Sequence, residues 1–230
     1  MAIETVNFVT PLHTASKRDY YARMNAEKPE CMRVAKQYGK DYWDGDRKYG
    51  YGGYHYDGRW KPVAEAMVKY YGLDKQSGID NHNQRILDIG CGKAHLLYEL
   101  GNVARHIETY GIDVSEYAKR QAQPAMERCL WTENCTNLHF DTSTFHLVYS
   151  VNVLHNLNYA DLKLALSEIR RVRRAASGAY ICVESYRTEE ELCALQCWAL
   201  TCQSFYTPDD WRGILKDNGY SGDVEFIYFE

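Results

Sequence analysis

The sequence has eight cysteines and no C-x-x-C pair among them, which argues against a zinc ribbon or a thioredoxin-like site. Apolar runs are short: nothing approaches the roughly 18 consecutive residues that a membrane-spanning helix needs. The opening stretch "MAIETVNFVTPLHTASKRDYY" has no apolar core of the signal-peptide kind. Together these absences predict a cytoplasmic protein with reduced, mostly buried cysteines. An excess of basic residues is also missing, with a net charge of −4 and a pI near 6.1. A nucleic-acid or membrane-surface binder would need a basic footprint, so neither partner is expected. Internal repeats, low-complexity tails and linkers are absent too. His13, His55, His82, His95, His106 and His139 show no metal-ligand spacing, so no metal is expected.

What is present suits one domain with an N-terminal extension. The chain has 230 residues, 45% of them hydrophobic and 25% charged, ordinary values for a globular protein. Its 20 tyrosines are unusual; they suit an aromatic-lined pocket, because each ring can be buried while its hydroxyl reaches a polar partner. Ordinary cores use tyrosine as well. Residues 1–60 carry a net +2 and the rest −6, so the N-terminal segment could meet a small anion or simply be a solvated surface.

From Arg85 onward strand and helix patterns alternate. The apolar runs "RILDIG", "IETYGIDV", "HLVYSV" and "AYICVES" read as strands. "AHLLYELGNVA", "SEYAKRQAQPAMERCL" and "ADLKLALSEIRRVRR" read as helices between them. Continuous apolar strands alternating with helices predict an α/β fold with a mostly parallel sheet covered on both faces. "PVAEAMVKYYGL" predicts an amphipathic helix with Val63, Ala66, Met67 and Tyr70 on one face, followed by the polar connector "DKQSGIDNHNQ". Pro29 marks a helix break or start. Near the end, "TEEELCALQCWALT" reads as a helix. In "TPDDWRGILKDNGY", Thr207 is the expected N-cap and Gly219 the C-cap. "VEFIYFE" is the last strand.

The chemistry concentrates in "ILDIGCGKAHLL". An apolar strand ends in Asp88 and turns through Gly90, Cys91 and Gly92 into a helix, and glycines there let backbone approach a ligand. About twenty residues on, a second strand ends in Asp113, where a carboxylate can accept from both hydroxyls of a ribose. The pair reads as a nucleoside-cofactor site. The dinucleotide fingerprint G-x-G-x-x-G is missing, which lowers NAD or FAD.

These motifs resemble those of the class I S-adenosylmethionine-dependent methyltransferases. "LDIGCGKA" looks like the first family motif, "YGIDVS" the second and "ENCTNLHF" the adenine-contact loop. "FHLVYSVNVLHNL" looks like the fourth-strand motif, and "EIRRVRRAASGAYICVES" like the helix and strand that follow. The resemblance covers residues 62–230 and implies a Rossmann-like methyltransferase domain there, with residues 1–61 as a lid and substrate-pocket extension. It implies S-adenosyl-L-methionine as cofactor and S-adenosyl-L-homocysteine as product. It places Gly90 and Gly92 against the methionine part, with Asp88 holding its ammonium and Asp113 the ribose. Asn134 and the Cys135 amide face adenine, and the backbone near Ser150 runs along the cofactor. Cys91 and Val114, in the same turns, complete the set. Three departures stand out. Ala94 replaces the usual third glycine, with only tighter helix packing expected. His146 replaces a largely structural Asp, and one terminal strand is found where the family has two.

The acceptor side is read from fewer residues. His155, at the end of the fourth-strand motif, is the candidate catalytic base for an O-methylation; the alternatives are a lining residue or a loop-packing histidine. Asn152 and Asn156 could orient the acceptor or cap the loop. Glu184, Tyr186 and Arg187 end the next strand, and Arg187 could clamp an anion or form a rim ion pair. Trp198 and Phe205 belong to a segment that lids the pocket in related enzymes, or to the core. The segment "DGDRKYGYGGYHYDGRW" (44–60) lacks the G-K-[ST] ending of a P-loop. It is too aromatic for a linker, and its net charge is zero. It is expected to fold as a lid in which Tyr49, Tyr51, Tyr54, His55 and Tyr56 wall the substrate pocket and Arg59 takes the cofactor carboxylate; a loop sealing the sheet edge is the alternative. The expected protein is a monomeric or homodimeric enzyme methylating a small polar or anionic metabolite, O- rather than N-methylation. A protein or nucleic-acid methyltransferase, or a non-catalytic partner subunit, are the other readings.

Overall fold

A computed structural model describes residues 3–15, 18–73 and 84–230; most of the expected polar connector and His82 lie outside them. The described residues form one parallel seven-stranded sheet of order β1-β7-β6-β5-β2-β3-β4. Its strands are β1 (Glu4–Thr5), β2 (Arg85–Ile89), β3 (Glu108–Asp113), β4 (Leu130–Thr132), β5 (Phe145–Val151), β6 (Arg173–Glu184) and β7 (Asp223–Ile227). Every pairing between them is parallel. The parallel sheet expected from the strand-helix alternation, and the Rossmann-like architecture that the resemblance implies, are therefore present.

Alternation along each strand divides the core in two. Ile86, Leu147, Tyr149, Tyr180 and Cys182 join one cluster, together with Val63 and Met67 of α4 (Lys61–Tyr71) and Leu97 and Leu100 of α5 (His95–Val103). Leu87, Ile89, Val148, Ile181 and Val183 join the other. There they meet Leu162, Leu166 and Ile169 of α7 (Tyr159–Val172) and, beyond α8 (Glu189–Trp198), Trp211 and Leu215 of α9 (Pro208–Asp217). Thr207 and Asp210 form a reciprocal capping box at the start of α9, satisfying N–H groups that the first turn leaves open. Gly219 takes φ +71° one residue beyond the Asn218 cap.

Several boundaries differ from expectation. The buried face of α4 is Val63, Ala64, Met67 and Val68, while Ala66 is exposed and Tyr70 points outward. The period is right, but the face is rotated, because Ala64 and Val68 share a stripe with Val63 and Met67 that composition alone could not rank. The second helix after β2, α6, covers only Glu116–Arg120; Pro124, which has no N–H to donate, starts a separate 3-10 turn. Strand β6 begins earlier than expected, at Arg173, with an irregular register against β5 near its start.

The single terminal strand has a structural answer. β7 pairs with β6 in parallel, and the position beyond it is filled from the other end of the chain by β1. Glu225 in β7, buried to 1% exposure, locks that arrangement. Its carboxylate accepts from the N–H groups of Phe8, Val9 and Thr10 at 2.8, 2.9 and 2.6 Å. The hydroxyls of Thr10 and Tyr180 donate to it as well, at 2.8 and 2.6 Å. Glu4 and Thr5 are thus part of the sheet, and the short helix α1 (Thr10–Thr14) starts from this anchor. The chain then runs through α2 (Lys28–Ala35), opened by Pro29, and α3 (Lys40–Asp44) across the strand ends.

Candidate active site

Parallel strands bring the C-terminal ends of β2 through β6 to one edge, where the crevices of such sheets lie. Between β2 and α5 the chain makes the glycine turn. Gly90 has φ +77° and Gly92 φ +54°, and a Cβ on either would meet Val153 at 2.2 Å or the Trp43 ring at 2.6 Å. Only glycine fits both the backbone sign and the space. Ala94 adopts φ +56°, so the family's third-glycine position keeps a left-handed backbone here. This corrects the expectation of a mere packing change: the methyl strains the turn. His146 accepts from the Arg85 N–H at 3.0 Å and contacts the Arg174 guanidinium at 2.8 Å, a bracing role in keeping with the residue it replaces.

Asp113 at the end of β3 ties this turn down. One carboxylate oxygen accepts from the Gly92 N–H and the other from the Ser115 N–H, both at 2.8 Å. A carboxylate has about four acceptor sites, so Asp113 retains capacity for hydroxyls. Asp88 is 4% exposed. Burial pushes its carboxyl up to about 8, with the Tyr149 hydroxyl opposing and the Asp113 charge adding to the rise. Tyr149 Oη lies near Asp88 but meets no group in hydrogen-bond geometry among the described residues.

Four cavities join at this edge. One of about 290 Å³ is lined by Asp113, Val114, Asn134 and Cys135 under Trp43 and Tyr51. A smaller one of about 60 Å³ holds Asp88, Gly90, Cys91 and Gly92 beneath Tyr54 and Trp60. A third, about 160 Å³, contains His155, Asn156, Glu184, Arg23 and Trp198. A fourth, about 290 Å³, is lined by His13, His55 and Arg59. Tyr51 and Asn152 line all four. The Asn156 side-chain oxygen, on the wall shared by the first and third, is buried with no hydrogen-bond partner among the described residues. Such an acceptor is costly unless a ligand satisfies it.

The Gly-Tyr segment covers the first two cavities. Trp43 stacks on Tyr51 with ring centres 5.2 Å apart and planes within 3°. Tyr54 stacks on His95 at 4.7 Å and accepts from the Trp60 indole N–H at 3.0 Å. A buried ion pair latches this cover. Lys93 Nζ, 3% exposed at its side chain, lies 2.7 Å from Asp44. Burial works to raise the Asp44 carboxyl; the Lys93 ammonium, the Tyr54 N–H and the Tyr117 hydroxyl overcome it and hold the group below the usual carboxylate range.

His155 is buried, and burial pushes it down to about 3. Its Nδ1 accepts from the Glu184 N–H at 3.1 Å, so Nε2 carries the proton and faces the Glu184 carboxylate at 3.4 Å. With its lone pair engaged, His155 is poorly placed to take a proton itself. Glu184, named from sequence only as a rim residue, is the accessible partner. Burial pushes its carboxyl up to about 7, against the lowering effect of Arg18 and Arg23.

Other expected site residues lie elsewhere. Arg59 pairs with Asp57 and lines the fourth cavity rather than the one holding Asp88; its short-range carboxylate partner captures it. Arg187 pairs with Glu191 and Glu230 and stacks on Tyr228, 4.0 Å from the ring centre, as the rim ion pair. Tyr56 donates to Glu99 and packs on Tyr98, outside these cavities. Ser150 donates to the Ile89 carbonyl within the sheet; its successors Val151, Asn152 and Val153 reach the cavity. Asn134 engages its side-chain oxygen on Thr136. Missed from sequence were Trp43, the Asp44–Lys93 latch and the arginines Arg18, Arg23 and Arg47. The +2 balance of the first 60 residues was the one available signal for the arginines.

Residues 86–176 match the family described as "Methyltransferase domain". No curated protein matches the chain. Among solved structures, a SAM-dependent methyltransferase from Archaeoglobus fulgidus superposes with a TM-score of 0.55 at 18% identity, over 70% of this chain and 68% of that one. The YcgJ protein from Bacillus subtilis gives 0.53 at 16% identity, over 67% of this chain and 66% of its own length, just under two thirds. A SAM-dependent methyltransferase from Aquifex aeolicus gives 0.50 at 18%, over 68% and 78%. At these identities the likeness establishes the fold. No helix among the described residues is long and apolar enough to cross a membrane.

Proposed function

We propose that this chain is a class I S-adenosylmethionine-dependent methyltransferase and that it transfers a methyl group to the hydroxyl of a small polar acceptor, a reading supported by the domain match and the shared fold. One observation carries the reading: Tyr51 and Asn152 join a nucleoside-sized cavity at Asp113 to a separate cavity ending at Glu184 and His155. The two reactants of a methyl transfer need just such adjoining compartments.

The residues present fit the cofactor. The glycine turn supplies a cradle that a Cβ would fill, Asp113 retains acceptor capacity for a ribose, and buried Asp88 suits an ammonium. S-adenosylmethionine supplies an electrophilic methyl on a sulfonium when bound. The chain's own part is to hold the acceptor in line and to remove its proton. Glu184, raised to about 7, is matched to deprotonating a hydroxyl near neutral pH. His155, locked by the Glu184 N–H, keeps an N–H toward the carboxylate and orients it. The stacked Trp43–Tyr51–Tyr54 rings wall the reacting region on its N-terminal side.

Calorimetry with S-adenosylhomocysteine tests the cofactor half, with saturable binding expected; no binding at millimolar concentration would overturn it. Mass spectrometry of metabolite pools incubated with enzyme and cofactor tests the transfer, through a gain of one methylene in mass. Products methylated only on nitrogen would overturn the hydroxyl assignment.

A further inference from the structure

Three guanidinium groups converge on one indole at the acceptor end. Arg23, Arg47 and Arg18 lie 4.0, 5.1 and 6.0 Å from the centre of the Trp198 ring. Like charges gathered in this way repel one another, and the backbone keeps them together. Arg23 donates to the carbonyls of Trp198, Arg47 and Gly50, the first two at 3.3 and 2.8 Å. Arg47 donates to the Gly50 carbonyl at 2.6 Å. Arg18 contacts His13 Nδ1 at 3.2 Å, while His13 Nε2 faces the Tyr228 carbonyl at 2.9 Å. The tautomer this implies leaves His13 neutral and accepting.

None of the three arginines forms an ion pair with a carboxylate among the described residues, whereas Arg59 and Arg187 do. Two acids face the cluster: Glu184 in the same cavity, and Asp19, which lines an adjoining cavity with all three arginines and Trp198 while its carboxylate accepts from the Tyr21 and Ala22 N–H groups. Burial, then the proximity of Arg47, pulls the Arg23 guanidinium down to about 10, the direction expected where positive charge is left uncompensated. Arg18 and Arg47 also line the adjoining cavity with His55. The positive surface therefore runs from the Glu184 pocket outward on the far side of Tyr51.

We propose that this arginine cluster is the acceptor's anchoring subsite and that it takes a phosphate monoester, so that the enzyme methylates a phosphorylated small molecule. This rests on the methyl-transfer reading above and names its substrate class. Arginine forks match phosphate oxygens in geometry and charge. A dianion offsets a three-arginine cluster better than a monocarboxylate does, and the phosphate at Arg18 and Arg47 leaves the rest of the acceptor to extend toward Glu184.

The test is calorimetric titration of inorganic phosphate, and separately of acetate, at fixed low ionic strength, with and without S-adenosylhomocysteine. Wild-type protein, Arg18→Gln and Arg47→Gln are compared. Phosphate is expected to bind in preference to acetate and to weaken at least about tenfold in either variant, while S-adenosylhomocysteine affinity stays within about twofold. Arg18→Gln is the control for folding, since among the described residues its side chain hydrogen-bonds only to His13, whereas Arg47 also braces the Gly50 carbonyl. Phosphate affinity unchanged from wild type in both variants, or no phosphate binding to protein that binds S-adenosylhomocysteine, overturns the subsite. Acetate binding as tightly as phosphate overturns the phosphate class. Loss of S-adenosylhomocysteine binding alone overturns the methyl-transfer reading, and the phosphate titration then still judges the anion site.

Discussion

The Lys93 ammonium sits 2.7 Å from both carboxylate oxygens of Asp44, joining the glycine turn to the N-terminal cover through a buried ion pair. The same carboxylate accepts from the Tyr54 N–H at 3.0 Å and the Tyr117 hydroxyl at 2.8 Å. Asp44→Ala leaves a buried ammonium without its partner, which costs about 3 kcal/mol or more. Urea denaturation should show that loss, and calorimetry should show weaker S-adenosylhomocysteine binding as the aromatic cover loosens. Wild-type stability in this variant would mean that Lys93 finds water instead.

Cofactor binding should release a proton. Asp88, pushed up to about 8 by burial, is mostly neutral at pH 7 in the free protein, and an ammonium bound beside it favours the carboxylate. Affinity therefore rises with pH until about 8 and then levels. Calorimetry in buffers of different ionisation heat measures the proton count, and Asp88→Asn should abolish both the release and the slope. Proton uptake on binding would contradict the assignment. Folding of the free protein has the matching sign: Asp88's contribution is present below the unfolded carboxylate pKa and lost as pH climbs through about 8.

Methyl transfer should depend on Glu184 in its ionised form. Its carboxyl near 7 predicts a rate that climbs with pH below that value and is flat above it. Glu184→Gln should lower kcat by roughly a hundredfold and remove the ascending limb. His155→Gln should retain the limb but shift it, because His155 orients the carboxylate rather than taking the proton. A limb unmoved in Glu184→Gln would reassign the base.

Glu225→Ala should destabilise the whole domain. The substitution leaves the N–H groups of Phe8, Val9 and Thr10 and the Tyr180 hydroxyl without their acceptor, for a cost of about 3 kcal/mol or more. The midpoint of urea unfolding measures it. A change below about 1 kcal/mol would show that water or a neighbouring group replaces the carboxylate.

Much of the strand-end geometry is legible in the sequence. The strand-turn-helix pattern around Gly90 and Gly92 and the strand ending in Asp113 are local signals, set by backbone geometry and periodicity over a few residues. The aromatic content of the Gly-Tyr segment argues against a linker, and its Tyr51, Tyr54 and Trp60 line cavities at the strand ends. What local signals could not rank were competing partners: Arg59 has Asp57 two residues away, and Arg187 has Glu191 four away.

By itself, then, the sequence determined the parallel α/β sheet, the glycine turn and the acidic strand ends, since each follows from short-range pattern. Only the tertiary structure decided what stands opposite them. Arg18, Arg23 and Arg47 meet Trp198 across more than 150 positions of chain, and Glu225 captures Phe8, Val9 and Thr10 from the far end. His155 gives up its lone pair to the Glu184 N–H because two neighbouring strand ends converge. Charge, hydrogen bonding and burial act through space, and the path that brings distant residues together is written in packing, not in spacing.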